Sequence, residues 1–134
     1  MNELEVGTTR LGLSAQHFPA GKGLNVARGI TLLGESVTVL GLIPHYDELR
    51  YRNCFDQLSI KSKLFIYEGS SRINVTINES ESNHTTHLNS QGPSLSKRVQ
   101  EEFLDFAFQA MNKSDMWVLS GSLPVGFDHD FYNK

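Results

Sequence analysis

Gly21-Lys22-Gly23-Leu24-Asn25-Val26-Ala27-Arg28-Gly29-Ile30-Thr31-Leu32-Leu33-Gly34 runs directly into Glu35-Ser36-Val37-Thr38-Val39-Leu40-Gly41-Leu42-Ile43-Pro44. From Leu24 to Leu33, the side chains of Val26, Ala27, Ile30 and Leu33 recur at helical spacing, and Gly34 follows as a helix-ending residue. Ser36 to Ile43 reads as a short apolar strand halted by Pro44. Helix then strand, joined by a tight turn, is one step of an α/β fold.

Downstream, Tyr46 to Leu58 reads as a second helix and Lys63 to Glu68 as a strand, with Gly69-Ser70-Ser71 as a turn. Arg72 to Asn78 alternates strictly. Period two puts Ile73, Val75 and Ile77 on one face and Arg72, Asn74, Thr76 and Asn78 on the other. The expected arrangement is a half-buried antiparallel strand paired with both 63–68 and His84 to Asn89. Ser94 to Asn112 reads as a helix capped near Ser94 or Ser96, with Val99, Phe103, Phe106 and Ala110 as its core stripe. Asp115 to Leu119 reads as a buried strand opening onto Ser120-Gly121-Ser122-Leu123-Pro124. Asp128 to Lys134 carries the start signals of another helix, too short to hold itself together. On that ground the chain is expected to be interrupted rather than finished.

The composition narrows the class. A chain of 134 residues with 39% apolar and 20% charged residues is expected to be one soluble globular domain. A net charge of −3 gives no general attraction for nucleic acid or an anionic membrane. No apolar run approaches a membrane span, and the acidic start Met1-Asn2-Glu3-Leu4-Glu5 lacks the blocks of a signal peptide. The single cysteine, Cys54, fits a reducing cytoplasm and reads as a half-buried thiol on a helix. The N-x-S/T triplets at Asn74, Asn78, Asn83 and Asn112 read as chance in an Asn/Ser/Thr-rich stretch.

Ligand chemistry concentrates at Ala20-Gly21-Lys22-Gly23-Leu24-Asn25. The glycines let a ligand approach the backbone, the helix start offers free N–H groups, and Asn25 suits a sugar hydroxyl. The spacing is neither a P-loop nor a dinucleotide fingerprint. Locally it serves either a ligand site or a plain helix start. Arg72 with Asn74 offers a guanidinium on a polar face, suited to a phosphate or simply solvated. Ser120-Gly121-Ser122 lies where a strand ends, the usual place for ligand loops in open α/β sheets. His84 and His87 lack the partners of a metal site and read as solvated strand residues. Asp128, His129 and Asp130 are adjacent and point in different directions, which argues against a hydrolytic triad.

Taken together, these stretches resemble the PfkB carbohydrate kinases. The resemblance rests on Ala-Gly-Lys-Gly-Leu-Asn-Val-Ala-Arg at 20–28, Leu33-Gly34, Arg72-Ile73-Asn74-Val75, Asn89-x-x-Gly92-Pro93 and Leu119-Ser120-Gly121-Ser122-Leu123-Pro124. It spans essentially the whole chain and is nearest the phosphosugar branch of 1-phosphofructokinase and tagatose-6-phosphate kinase. It implies an incomplete ribokinase-like three-layer α/β sandwich over residues 1–134, with a small antiparallel β-lid at about 63–89. By that likeness Gly21, Gly23 and Asn25 hold the sugar, with Lys22 adding charge. Arg72, Asn74, Ser120 and Ser122 complete the site, with Arg72 and Ser122 on the phosphate already carried by the sugar.

The family transfers the ATP γ-phosphoryl group with Mg²⁺, using an aspartate of Gly-x-Gly-Asp as base. That motif does not occur in this sequence. The ATP and Mg²⁺ residues are expected to be absent, leaving no catalytic and no metal residue to assign. The family's opening Asn-Pro-x-x-Asp strand is also missing, so the chain is expected to be cut at both ends. Ile43-Pro44-His45-Tyr46-Asp47 replaces the family's glycine-rich turn. The expected function is phosphosugar phosphorylation, with this chain inactive alone. The alternative is a non-catalytic module that binds a phosphosugar or forms a homodimer through the lid, as family members commonly do.

Overall fold

A computed structural model describes residues 4–111, 116–128 and 130–133. The elements in chain order are α1 (Lys22–Leu32), β1 (Thr38–Pro44), α2 (Glu48–Gln57), β2 (Lys61–Tyr67), β3 (Asn74–Asn78), β4 (Thr85–Asn89) and α3 (Lys97–Met111). Short 3₁₀ turns cover His45–Asp47 and Phe131–Asn133. The chain forms two compact units. One comprises Met1–His17 with Arg72–Gln91, and the other Phe18–Ser71 with Gly92–Lys134.

In the larger unit, both early helices end in the same way. Gly34 takes a φ of +83°, its N–H bonds Thr31 O at 3.0 Å, and Glu35 N–H bonds Ile30 O at 3.2 Å. These paired bonds are a Schellman closure, in which the residue after the cap must be left-handed. At the end of α2 the left-handed residue is Ser59, at φ +54°. Ser59 N–H bonds Asp56 O at 3.1 Å and Ile60 N–H bonds Phe55 O at 2.9 Å. That closure also places the buried side chains of Phe55 and Ile60 in one cluster with Leu24, Ala27 and Cys54. The buried face of α1 is therefore Leu24 and Ala27. The expected stripe is shifted, since Val26 and Leu33 are exposed.

β1 and β2 pair in parallel, from Thr38 opposite Lys61 to Pro44 opposite Tyr67. The return through α2 makes the parallel pairing, which a tight turn cannot. Val39 and Leu64 pack on the α1–α2 cluster. The Phe65 ring meets Phe103 and Phe106 of α3 at 6.0 and 5.7 Å between centroids. Neighbouring strand residues face opposite sides, so helices cover both faces. This is the α/β/α layering expected of a ribokinase-like fold.

Two expectations are corrected here. Residues 63–68 do not join the antiparallel lid; 63–67 lie in β2 against β1, and Glu68 follows the strand's end. Leu64 to Tyr67 is half-buried throughout, the mark of a strand covered on both faces rather than one alternating between core and solvent. Nor do residues 116–119 form a buried strand: Met116, Val118 and Leu119 are exposed and outside any ladder. A strand exists through its neighbour's hydrogen bonds, and among the described residues the sheets are the pairs β1–β2 and β3–β4. Asp115 and Asn112 lie outside the described residues.

α3 starts as expected at Ser96, whose Oγ accepts the Val99 N–H at 3.4 Å. In the smaller unit β3 and β4 form an antiparallel hairpin, with Val75 opposite Leu88 and Thr76 opposite His87. Ser90 Oγ donates to Ile73 O at 2.8 Å, extending the pairing beyond the strands.

Candidate functional site

α1 begins without a cap. Gly21 precedes it at φ +153°, and among the described residues no side-chain cap bond closes the turn. The first helical bond runs from Asn25 N–H to Gly21 O at 3.0 Å, so the amides of residues 22–24 have no acceptor within the helix. No acidic residue stands in this turn, and Lys22 is exposed beside it. The helix dipole, these amides and the Lys22 ammonium thus put positive charge and hydrogen-bond donors at one helix end.

Ser120 closes on this end from the far part of the chain. A Cβ added to Gly23 would stand 3.4 Å from Ser120 Oγ. Glycine at position 23 therefore leaves the hydroxyl against bare backbone. The loop that carries Ser120 turns at Gly121, at φ +113°, and Tyr132 OH donates to the Gly121 carbonyl at 2.9 Å. Burial pushes the Tyr132 phenol above its usual value. Gly21, Lys22, Gly23, Asn25 and Ser120 are thus gathered at one place, with Ser122 in the same loop.

Arg72 and Asn74 belong to the hairpin unit, and both are exposed. Asn74 opens β3 opposite Asn89. Sequence reasoning missed the tie from Tyr132, which no local pattern announces. It also gave no role to Asp47, although it marked the turn that contains it. Asp47 Oδ2 accepts the Ser71 N–H at 2.9 Å, and Oδ1 takes Arg50 at 3.3 Å. Burial, followed by the Asp47 charge, raises the Tyr67 phenol. Burial also raises that of Tyr51, and a side-chain hydrogen bond with Ser71 acts against that rise.

Cys54 is buried on α2, with Arg28 Nη2 3.6 Å from its sulfur. His87 Nδ1 lies 3.1 Å from Thr76 Oγ1, and His84 Nδ1 3.8 Å from Glu79 Oε2. Phe131 N–H bonds Asp128 O at 3.0 Å, while His129 lies outside the described residues.

The family profile for pfkB family carbohydrate kinases matches residues 2–134. The 1-phosphofructokinase of Haemophilus influenzae is 30% identical over 132 residues, which is 98% of this chain and 42% of that protein. The Vibrio cholerae 1-phosphofructokinase is 34% identical over 127 residues, covering 94% of this chain and 39% of its own. The chain spans about two fifths of the length of these relatives.

Among solved structures, a possible 1-phosphofructokinase from Thermotoga maritima superposes with a TM-score of 0.83 at 27% identity, over 99% of this chain and 43% of that one. Escherichia coli phosphofructokinase-2 in complex with fructose-6-phosphate superposes with a TM-score of 0.86 at 18% identity, over 98% of this chain and 43% of that one. The second likeness bears on the fold alone. With the profile spanning the chain and the layered sheet agreeing with these folds, the chain belongs to the pfkB family of carbohydrate kinases.

Proposed function

We propose that the chain forms the sugar-phosphate-binding part of an ATP-dependent phosphosugar kinase, of the fructose 1-phosphate or tagatose 6-phosphate type. The observation that carries this is the uncapped, acid-free start of α1, closed by Ser120 against Gly23. In this reading the open amides and Asn25 take sugar oxygens. Lys22 and Ser122 meet the phosphate and Ser120 orients the ring; for Arg72 and Asn74, of the hairpin unit, the family likeness supplies the roles of phosphate and sugar ligands. The chain is one partial kinase domain in which the β3–β4 hairpin, led by Arg72, is the lid. The single cysteine favours a reducing compartment, the cytoplasm. Among the described residues no helix is long and apolar enough to cross a membrane.

ATP supplies the transferred phosphoryl group in such kinases, and Mg²⁺ neutralises its charge. Among the described residues no group of three or more His, Cys, Asp or Glu could hold a metal ion. The letters Asn-x-x-Glu, which the family uses with Mg-ATP, occur at 2–5 and at 78–81; in the second run Asn78 Oδ1 accepts Thr85 Oγ1. The proposal for this chain therefore covers binding and orientation of the sugar phosphate.

A coupled ATP-consumption assay tests it, with fructose 1-phosphate, fructose 6-phosphate and tagatose 6-phosphate. The chain alone is expected to show no turnover above a buffer blank. Turnover that Arg72→Ala abolishes would refute this.

A second reading, pairing through the lid, is favoured by the exposed apolar side chains of Ile73, Val75 and Leu88 on the hairpin. A structure of E. coli phosphofructokinase-2 is described as a tetrameric inhibited form. Light scattering during size-exclusion chromatography is expected to give a dimer that Val75→Lys returns to monomer. A monomer in both cases would dismiss pairing.

A further inference from the structure

The turn that departs from the family pattern, residues 43–47, has a use of its own. It follows the carboxyl end of β1, beside the carboxyl end of β2, where Pro44 pairs with Tyr67. The loop leaving β2 is tied back onto this turn and the helix after it. Tyr46 N–H donates to Gly69 O at 3.4 Å. Asp47 takes the Ser71 amide with one carboxylate oxygen and Arg50 with the other. The Asp47 side chain is only 14% exposed, so its bond to the amide is charge-assisted and little contested by water.

We infer that Asp47 is a positioning residue for Arg72: by holding the Ser71 amide it fixes the backbone immediately before that arginine. The inference rests on the reading of Arg72 as a phosphate ligand. A guanidinium on a long stem makes directed bonds to a phosphate only from a defined starting point, because each immobilised rotor and each loose backbone bond costs binding entropy. A carboxylate suits the task better than a neutral acceptor, since it serves the amide and Arg50 at once.

Amide hydrogen exchange and a titration with fructose 1-phosphate test this on the whole chain. In Asp47→Ala the Ser71 amide is expected to exchange about tenfold faster or more, while Leu64 in β2 is unchanged. Asp47→Asn, which keeps an acceptor, is expected to fall between, and Arg50→Ala to leave Ser71 as it was. Affinity for fructose 1-phosphate is expected to fall by about tenfold in Asp47→Ala, with partial recovery in Asp47→Asn. Unchanged exchange at Ser71 overturns the inference, as does an unchanged affinity in a variant whose Ser71 has loosened. A wild-type chain that ignores fructose 1-phosphate overturns the phosphosugar reading and the positioning role with it. If Asp47→Ala does not fold, Asp47→Asn against wild type carries the same comparison.

Discussion

Phe55→Ala is expected to lower the unfolding free energy of the larger unit by about 3–5 kcal/mol. Phe55 is 2% exposed, the largest fully buried side chain of the cluster, and it touches both helix packing and helix ending. Its ring packs beside Tyr51, 6.2 Å between centroids, while its carbonyl accepts the Ile60 N–H that closes α2. Alanine keeps the carbonyl and removes the ring, so the loss is one of burial and cavity rather than of hydrogen bonding. Domains of this size are stable by about 5–15 kcal/mol, so the variant stands close to unfolding. Leu32→Ala, at a side chain 87% exposed, is expected to change stability by no more than about 0.5 kcal/mol. Urea titrations followed through Trp117 fluorescence give both values, and equal losses would contradict the placement of the core.

Arg72→Ala is expected to weaken binding of fructose 1-phosphate by about 10–100-fold, the equivalent of a charge-assisted hydrogen bond of about 1.5–3 kcal/mol. Gly23→Val is expected to weaken it at least as much for a different reason. A Cβ at Gly23 already reaches 3.4 Å from Ser120 Oγ, and the two methyl groups of valine extend beyond it into the gap. The two losses separate by ligand. For fructose lacking a phosphate, Arg72→Ala is expected to change little, whereas Gly23→Val is expected to weaken binding still. Isothermal titration of both ligands against both variants checks this. A Gly23→Val chain that binds like wild type would remove the opening of α1 from the site.

The legible parts of this fold were those written in local chemistry. Gly34 announces the end of α1 because a left-handed residue is needed there. Ser96 announces the start of α3 because its hydroxyl can take the Val99 amide. The Arg72–Asn78 alternation announces a strand because period two has no other use. Ser59 fills the same left-handed role as Gly34, yet serine carries no such signal.

The partner of β2 was also hidden. Lys63 to Tyr67 looks the same whether it pairs backwards with β3 or forwards with β1. Only the burial of both its faces, under α1–α2 and under α3, decides between them. Residues 116–119 failed in the opposite sense, for their apolar letters promise a strand that hydrogen-bonding neighbours must supply. In the candidate site, the glycines and Ser120 were readable as separate motifs. Their meeting across the chain, and the grip of Asp47 on Ser71, depend on tertiary contacts that no local spacing encodes.

Amide shift mapping by NMR bears most directly on the proposed sugar-phosphate site. On adding fructose 1-phosphate, the amides of Lys22, Gly23, Leu24 and Ser120 are expected to shift together and saturably, while those of Leu64 and Val99 stay in place. Shifts confined to other residues, or none at millimolar ligand, would contradict a sugar-phosphate site at the start of α1.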